Sequence, residues 1–261
     1  MDENYQTYLN RAMRLTLPDT YRSQVQHLQE SPKFHHDPVG GRKPAPFPGY
    51  TIVTPPGSED TKNAALHESL EQYQQQLLHK LGSDLFVPVP PDSFHLTVAD
   101  LIWDSAFRDA SQQKPGFEGQ LQNQIAAIFQ QSHAMTEGKP LQFQPLGLMV
   151  MPRAIAMCLA PADEHSYDRA LKFRRAIFQN SDLIGLGIEQ QYYFTPHITL
   201  GYFGSIPSSE ALAKLGDSFV HLNQQWLEQE PQTFLVDRAE LRKFDDMTRY
   251  YRESDWAVFE F

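Results

Sequence analysis

The sequence predicts an α+β protein: two pseudo-symmetric lobes of antiparallel sheet, with helices on their outer faces, around a central cleft. Two observations carry this. Helical and extended segments alternate, yet several strand pairs adjoin directly, which rules out a pure βαβ winding. The same short pattern, His-apolar-Thr-apolar, also recurs on one extended segment in each half of the chain, with an amphipathic helix after each.

The elements run in order from the N-terminus. The first 48 residues are polar and end in a Gly/Pro-rich run from Asp37 to Pro48. Residues 5 to 30 have room for a helix or two, and Pro32 to Pro48 reads as an extended loop. This stretch is expected to be an N-terminal extension, 1–48, acting as a lid or a linker, with a single bilobed domain over 49–261. Tyr50 to Val53 is a short strand stopped by Pro55-Pro56-Gly57. Leu66, Leu70, Tyr73, Leu77 and Leu81 fall at helical spacing, with Gly82 as a C-cap. Leu85 to Pro90 and Phe94 to Trp103 are extended, and Leu121, Ile125, Ile128 and Phe129 mark a second helix. Leu141 to Met151 and Ala154 to Ala160 read as strands joined at Pro152-Arg153, followed by a helix through Tyr167, Leu171, Arg174 and Phe178. Tyr192 to Phe203 is extended. A helix opened by Ser208-Ser209-Glu210 carries Leu212, Leu215, Phe219, Leu222 and Trp226, and strands at Phe234 to Phe244 and Trp256 to Phe261 end the sequence.

Composition bounds the function. Of 261 residues, 41% are hydrophobic and 21% charged, an ordinary globular balance. With 22 Lys+Arg against 32 Asp+Glu the formal charge is −10, so bulk nucleic-acid binding is not expected; a small anion in a local pocket is compatible. The single cysteine, Cys158, leaves no intrachain disulfide and no Cys-based zinc site, and its apolar neighbours read as core. No signal peptide is visible, and Pro152 and Arg153 interrupt the longest apolar stretch, so a cytoplasmic, non-membrane monomer is expected.

The repeated pattern is His95-Leu96-Thr97-Val98 and His197-Ile198-Thr199-Leu200. Given the His and Thr content, about 0.08 such apolar-flanked copies are expected by chance, so two are a specific signal. On a strand, residues i and i+2 share a face, so each His projects with its Thr. Continuing that alternation puts Ala99 and Gly201 beside the polar pair, where small side chains leave room, and puts Asp100 on the apolar back. Two imidazoles across a cavity suit transfer at a phosphodiester: one takes a proton from the attacking oxygen and the other donates to the leaving oxygen. The Thr hydroxyls can donate to non-bridging phosphoryl oxygens. Nothing in that scheme requires a metal or another cofactor.

At these residues the sequence resembles the 2H phosphoesterase superfamily, which includes LigT-like cyclic phosphodiesterases and RNA 2′,5′-ligases. The second motif, Phe194-Thr-Pro-His-Ile-Thr-Leu-Gly201, carries the resemblance most strongly, supported by the strand–turn–strand of Leu235 to Phe261 with Tyr250-Tyr251 in its turn. The Gly-Gly-Arg to Gly-Tyr-Thr stretch resembles a microbial branch of the superfamily. The resemblance implies metal-independent action on cyclic phosphates of ribose, with His95, Thr97, His197 and Thr199 as catalytic residues. It leaves open which His is acid and which is base. Two departures stand out: Tyr202 occupies a position where RNA-active members often carry a basic residue, and Asp100 adds negative charge after the first motif.

Three further residues are candidates for substrate binding, each beside a plainer reading. Phe203 would stack on a base or belong to the core. Arg153 would reach the cleft from its hairpin tip or stay in solvent. Lys43, with Gly40, Gly41 and Arg42, would form a phosphate nest or a flexible linker. The expected function is a metal-independent cyclic phosphodiesterase acting on a small nucleotide-like or short RNA-end substrate. Its rivals are a non-catalytic nucleotide- or phosphate-binding module and an RNA-end processing enzyme or ligase.

Overall fold

A computed structural model describes residues 3–261, and every side chain among them but that of Ala213. In chain order the helices are α1 (Tyr5–Arg14), α2 (Pro18–Gln24), α3 (Ala64–Leu81), α4 (Asp104–Gln113), α5 (Phe117–Gln131), α6 (Glu164–Phe178), α7 (Ser181–Gly185) and α8 (Ser209–Leu227). The strands are β1 (Phe34–His36), β2 (Arg42–Pro44), β3 (Gly49–Val53), β4 (Phe86–Pro88), β5 (Thr97–Trp103) and β6 (Leu141–Val150). They continue with β7 (Ala154–Pro161), β8 (His197–Phe203), β9 (Phe234–Val236), β10 (Arg238–Phe244), β11 (Tyr250–Tyr251) and β12 (Val258–Glu260).

Two five-stranded sheets form the frame, and all their pairings are antiparallel. One runs β11-β10-β3-β5, with β12 also on β10; the other runs β4-β8-β7-β6-β9. The α+β class and the antiparallel sheets match the sequence reading. The sheets are not, however, the two halves of the chain. β4 comes from the first half and pairs with β8, while β10 to β12 come from the end of the chain and complete the sheet of β3 and β5. Each sheet therefore needs both halves.

The core is one continuous apolar cluster built from both sheets and the helices packed on them. The N-terminal residues belong to it. Tyr8 and Tyr21 are fully buried, and their hydroxyls donate to the carbonyls of Leu159 (3.0 Å) and Leu148 (2.6 Å). Residues 29 to 34 run along the end of β8: Gln29 N–H donates to the Pro152 carbonyl (2.7 Å) and Ser31 N–H to the Phe203 carbonyl (2.9 Å). Among the described residues no helix is long and apolar enough to cross a membrane.

The two motif strands meet at a seam, where Leu96 and Ile198 form an isolated antiparallel bridge. In that register position 95 faces 199 and position 97 faces 197, so each histidine lies across from the threonine of the other motif.

Each motif strand also carries a β-bulge at the third residue after its histidine. Opposite β3, Thr97 and Ala99 pair with consecutive residues, leaving Val98 extra. Opposite β7, Thr199 and Gly201 pair with consecutive residues, leaving Leu200 extra. A bulged residue shifts the alternation of the residues after it. Both freed carbonyls are taken by buried side chains from helices. Gln74 of α3 donates to the Leu200 carbonyl (2.6 Å), which also accepts from the Val89 N–H (3.2 Å), and to the Val89 carbonyl (2.8 Å); Arg174 of α6 donates to the Val98 carbonyl.

Candidate active site

The seam opens into a cleft of about 830 Å³, lined on one side by His95, Thr97, Asp100 and Trp103 and on the other by His197, Thr199 and Tyr202. This size suits a small-molecule site. The expected four-residue centre is thus gathered on one cavity, with all four side chains half-buried.

The two imidazoles are held alike. Nδ1 of His95 lies 2.7 Å from the Ser93 carbonyl, and Nδ1 of His197 lies 2.7 Å from the Thr195 carbonyl. A carbonyl only accepts, so each ring must carry its proton on Nδ1 when neutral, leaving Nε2 as the free basic atom. Each carbonyl sits two residues before its histidine, in a segment shaped by proline: the turn Pro91–Ser93 in one case and Thr195-Pro196 in the other. The second segment is gripped by α1, where Arg11 donates to the Thr195 hydroxyl (2.7 Å) and the Phe194 carbonyl (2.8 Å).

The surroundings break the symmetry. Burial lowers both histidine pKa values, that of His95 to about 4. For His95, the nearby His197 and Arg242 add to the burial effect, while the Ser93 carbonyl opposes it. For His197, the Thr195 carbonyl and the Asp100 carboxylate oppose burial, with Lys33 pushing the other way. The Tyr250 ring packs against His95 at 4.2 Å between centroids. Behind it Arg242, buried between Glu240 and Glu59, donates to the Tyr250 carbonyl (3.0 Å).

The bulges correct the expected faces. Ala99 and Gly201 do not border the cleft. Ala99 is fully buried, and a Cβ on Gly201 would sit 2.5 Å from the Phe86 ring, so its smallness serves the packing of β8 on β4. Asp100 turns from the back into the cleft, at a position equivalent to Tyr202. Phe203 lies in the core with no exposed surface and does not line the cleft. Lys43 stands outside the cleft lining, its ammonium 2.7 Å from the Asp37 carboxylate. Arg153 does reach the cleft lining, where its Nε donates to the Gln29 side chain (3.2 Å).

Other lining residues carried no readable sequence signal. Lys33 and Phe47 come from the proline-rich N-terminal run, and Trp103 and Tyr192 form a near-parallel ring pair 6.4 Å apart. Cys158, paired opposite His197, is fully buried, and burial pushes its thiol up to about 12, an inert core residue. Among the described residues no cluster of three His, Cys, Asp or Glu side chains could hold a metal ion.

Comparison with known proteins places these observations. Residues 36–113 match the family described as "2H-phosphodiest: Domain of unknown function (DUF1868)". No curated protein matches the sequence. Among solved structures, a conserved protein of unknown function from Agrobacterium tumefaciens is similar, at 16% identity and TM-score 0.59, over 89% of this chain and 96% of that one. That likeness shows a shared fold. LigT of E. coli in its apo form is similar at 14% identity and TM-score 0.44, over 83% of this chain and 98% of its own. TT0787 of Thermus thermophilus is similar at 15% identity and TM-score 0.41, over 74% of this chain and 86% of its own.

Proposed function

We propose that this chain, whose residues 36–113 match the 2H-phosphodiesterase family model, is a 2H phosphoesterase that hydrolyses a cyclic phosphate on a nucleotide-like substrate by two-histidine acid–base catalysis. The observation that carries the proposal is the matched pair of imidazoles, each tied through Nδ1 to a backbone carbonyl, each accompanied by its threonine, on one cleft.

His95 is the base and His197 the acid. A base must arrive neutral, and His95 has its charged form disfavoured by burial first and then by the neighbouring His197, Arg242 and His67. An acid must arrive charged, and His197 has the Asp100 carboxylate to support that form. Neutral His95 takes a proton from water as the water oxygen attacks phosphorus. The P–O bond to one ribose oxygen breaks, and charged His197 gives its proton to that oxygen. The product is a phosphomonoester. His95 then releases its proton and His197 regains one, restoring the starting state. Thr97 and Thr199 donate to the non-bridging oxygens, where charge accumulates.

The test is hydrolysis of nucleoside 2′,3′-cyclic monophosphates in EDTA, comparing wild type with His95→Ala and His197→Ala. Each substitution is expected to lower kcat by roughly 10²- to 10⁴-fold, the usual range for losing a general acid or base. Turnover retained in either variant would overturn the mechanism. Tight nucleotide binding without turnover in the wild type would identify a binding module instead.

A further inference from the structure

The proline-rich N-terminal segment brings a lysine into the cleft. Lys33 is clasped between two rings, its ammonium 4.7 Å from the Phe47 centroid and 5.0 Å from that of Tyr202. Its hydrogen-bonding contact is a long one, 3.5 Å to the Tyr202 hydroxyl. Among the described residues no carboxylate lies within ion-pair distance of it. Asp100 and Asp104 act on it only at longer range. The position is firmly set. Ala45 N–H donates to the Lys33 carbonyl (2.9 Å), Ser31 is bonded to the end of β8, and the adjacent buried Phe34 packs on Tyr202 at 5.6 Å.

A cation held in a cleft without an acidic partner loses hydration that ring faces and one long hydroxyl contact replace only in part. Such a group is completed by an anion. Among the described residues, Lys33 and Arg153 are the two Lys or Arg side chains that line the cleft, and Arg153 is engaged with Gln29. We infer that Lys33, supplied by the N-terminal segment, is the anion-binding residue of this cleft and takes a phosphoryl oxygen of the substrate beside Tyr202. The assignment deepens the phosphoesterase reading, and it gives residues 29–47 a direct part in recognising substrate.

Partial desolvation supports the same role. Burial lowers the Lys33 pKa to about 8, against the pull of Asp100 and Asp104. Anion binding should therefore weaken as pH rises through about 8, where the lysine loses its charge.

Sulfate is a suitable probe, because its charge is constant across the titration and its binding is read without turnover. By calorimetry, Lys33→Gln is expected to bind sulfate on the order of tenfold more weakly than wild type, the worth of one charge-assisted hydrogen bond. Lys33→Arg is expected to keep the binding but lose the fall near pH 8, since arginine stays charged. Equal sulfate affinity in Lys33→Gln and wild type, or the same alkaline fall in Lys33→Arg, would overturn the assignment. Histidine variants that still turned over would defeat the two-histidine mechanism and leave the sulfate result untouched.

Discussion

His95 and His197 have the same bonding partners but different charges around them, and this makes their order of protonation testable. In the proposed mechanism the base must be neutral in the free enzyme, so kcat/KM is lost as pH falls through the His95 value, about 4. The acid must be charged, so kcat/KM is also lost as pH rises through the His197 value, which burial holds below the ordinary 6.5. The expected kcat/KM profile is a bell with its optimum on the acid side of neutrality. Asp100 is the group that keeps the alkaline limb from moving lower still. In Asp100→Asn that limb should shift to lower pH while the acid limb stays in place. At neutral pH kcat/KM should drop severalfold, since each unit of pKa is a factor of ten in the charged fraction. A profile of Asp100→Asn that superimposed on wild type would show that Asp100 does not support the charge on His197. The sequence pointed to the two histidines but not to this difference between them. Asp100 counted there as negative charge out of place on an apolar face, because simple alternation put it on the back of its strand.

Two bulged residues explain that misplacement, and they belong to the scale of the strand. Val98 and Leu200 occupy the same position in the two motifs, and each moves the next inward-facing side chain by one residue. Asp100 and Tyr202 then line the cleft where alternation pointed to Ala99 and Gly201, and Phe203 goes to the core. Strand position and the His-Thr pairs were legible because they precede the bulge and obey a period of two. Residues beyond the bulge were not legible, because a bulge depends on which donor takes the carbonyl it frees. In this fold the donors, Gln74 and Arg174, come from helices distant in sequence. Replacing Gln74 with methionine keeps the length of the side chain and removes the donor. Gln74→Met should cost about 1–3 kcal/mol of unfolding free energy, the penalty for leaving the buried Val89 carbonyl short of a donor, while Leu200 keeps the Val89 N–H. Denaturant titration measures it, and an unchanged midpoint would show that water or a backbone shift satisfies the Val89 carbonyl.

At the scale of the whole molecule, the helices of the N-terminal extension pack into the same core as the two sheets. Alternation along the chain made the strands and most of the helices readable, but no local pattern shows that β4 joins the sheet of β8 or that β10 completes the sheet of β3. The same holds for α1, whose polar sequence conceals the buried Tyr8 and the reach of Arg11 into the loop before His197. That loop carries the Thr195 carbonyl to which His197 is tied, so in the proposed mechanism α1 orients the acid without touching the reacting atoms. Arg11→Met should therefore act as a positioning variant. Its kcat should fall about tenfold with KM nearly unchanged, because small misplacements of a catalytic group are costly. Its unfolding should remain cooperative, since the apolar contacts of Tyr8 and Tyr21 persist. Deleting residues 1–28 removes those rings as well and uncovers the sheet surface beneath them. That truncated chain should lose cooperative thermal unfolding altogether. A truncated chain that melted as sharply as wild type would show that residues 29–261 fold without the N-terminal helices, and Arg11 would then be a local brace on the His197 loop rather than part of a shared core.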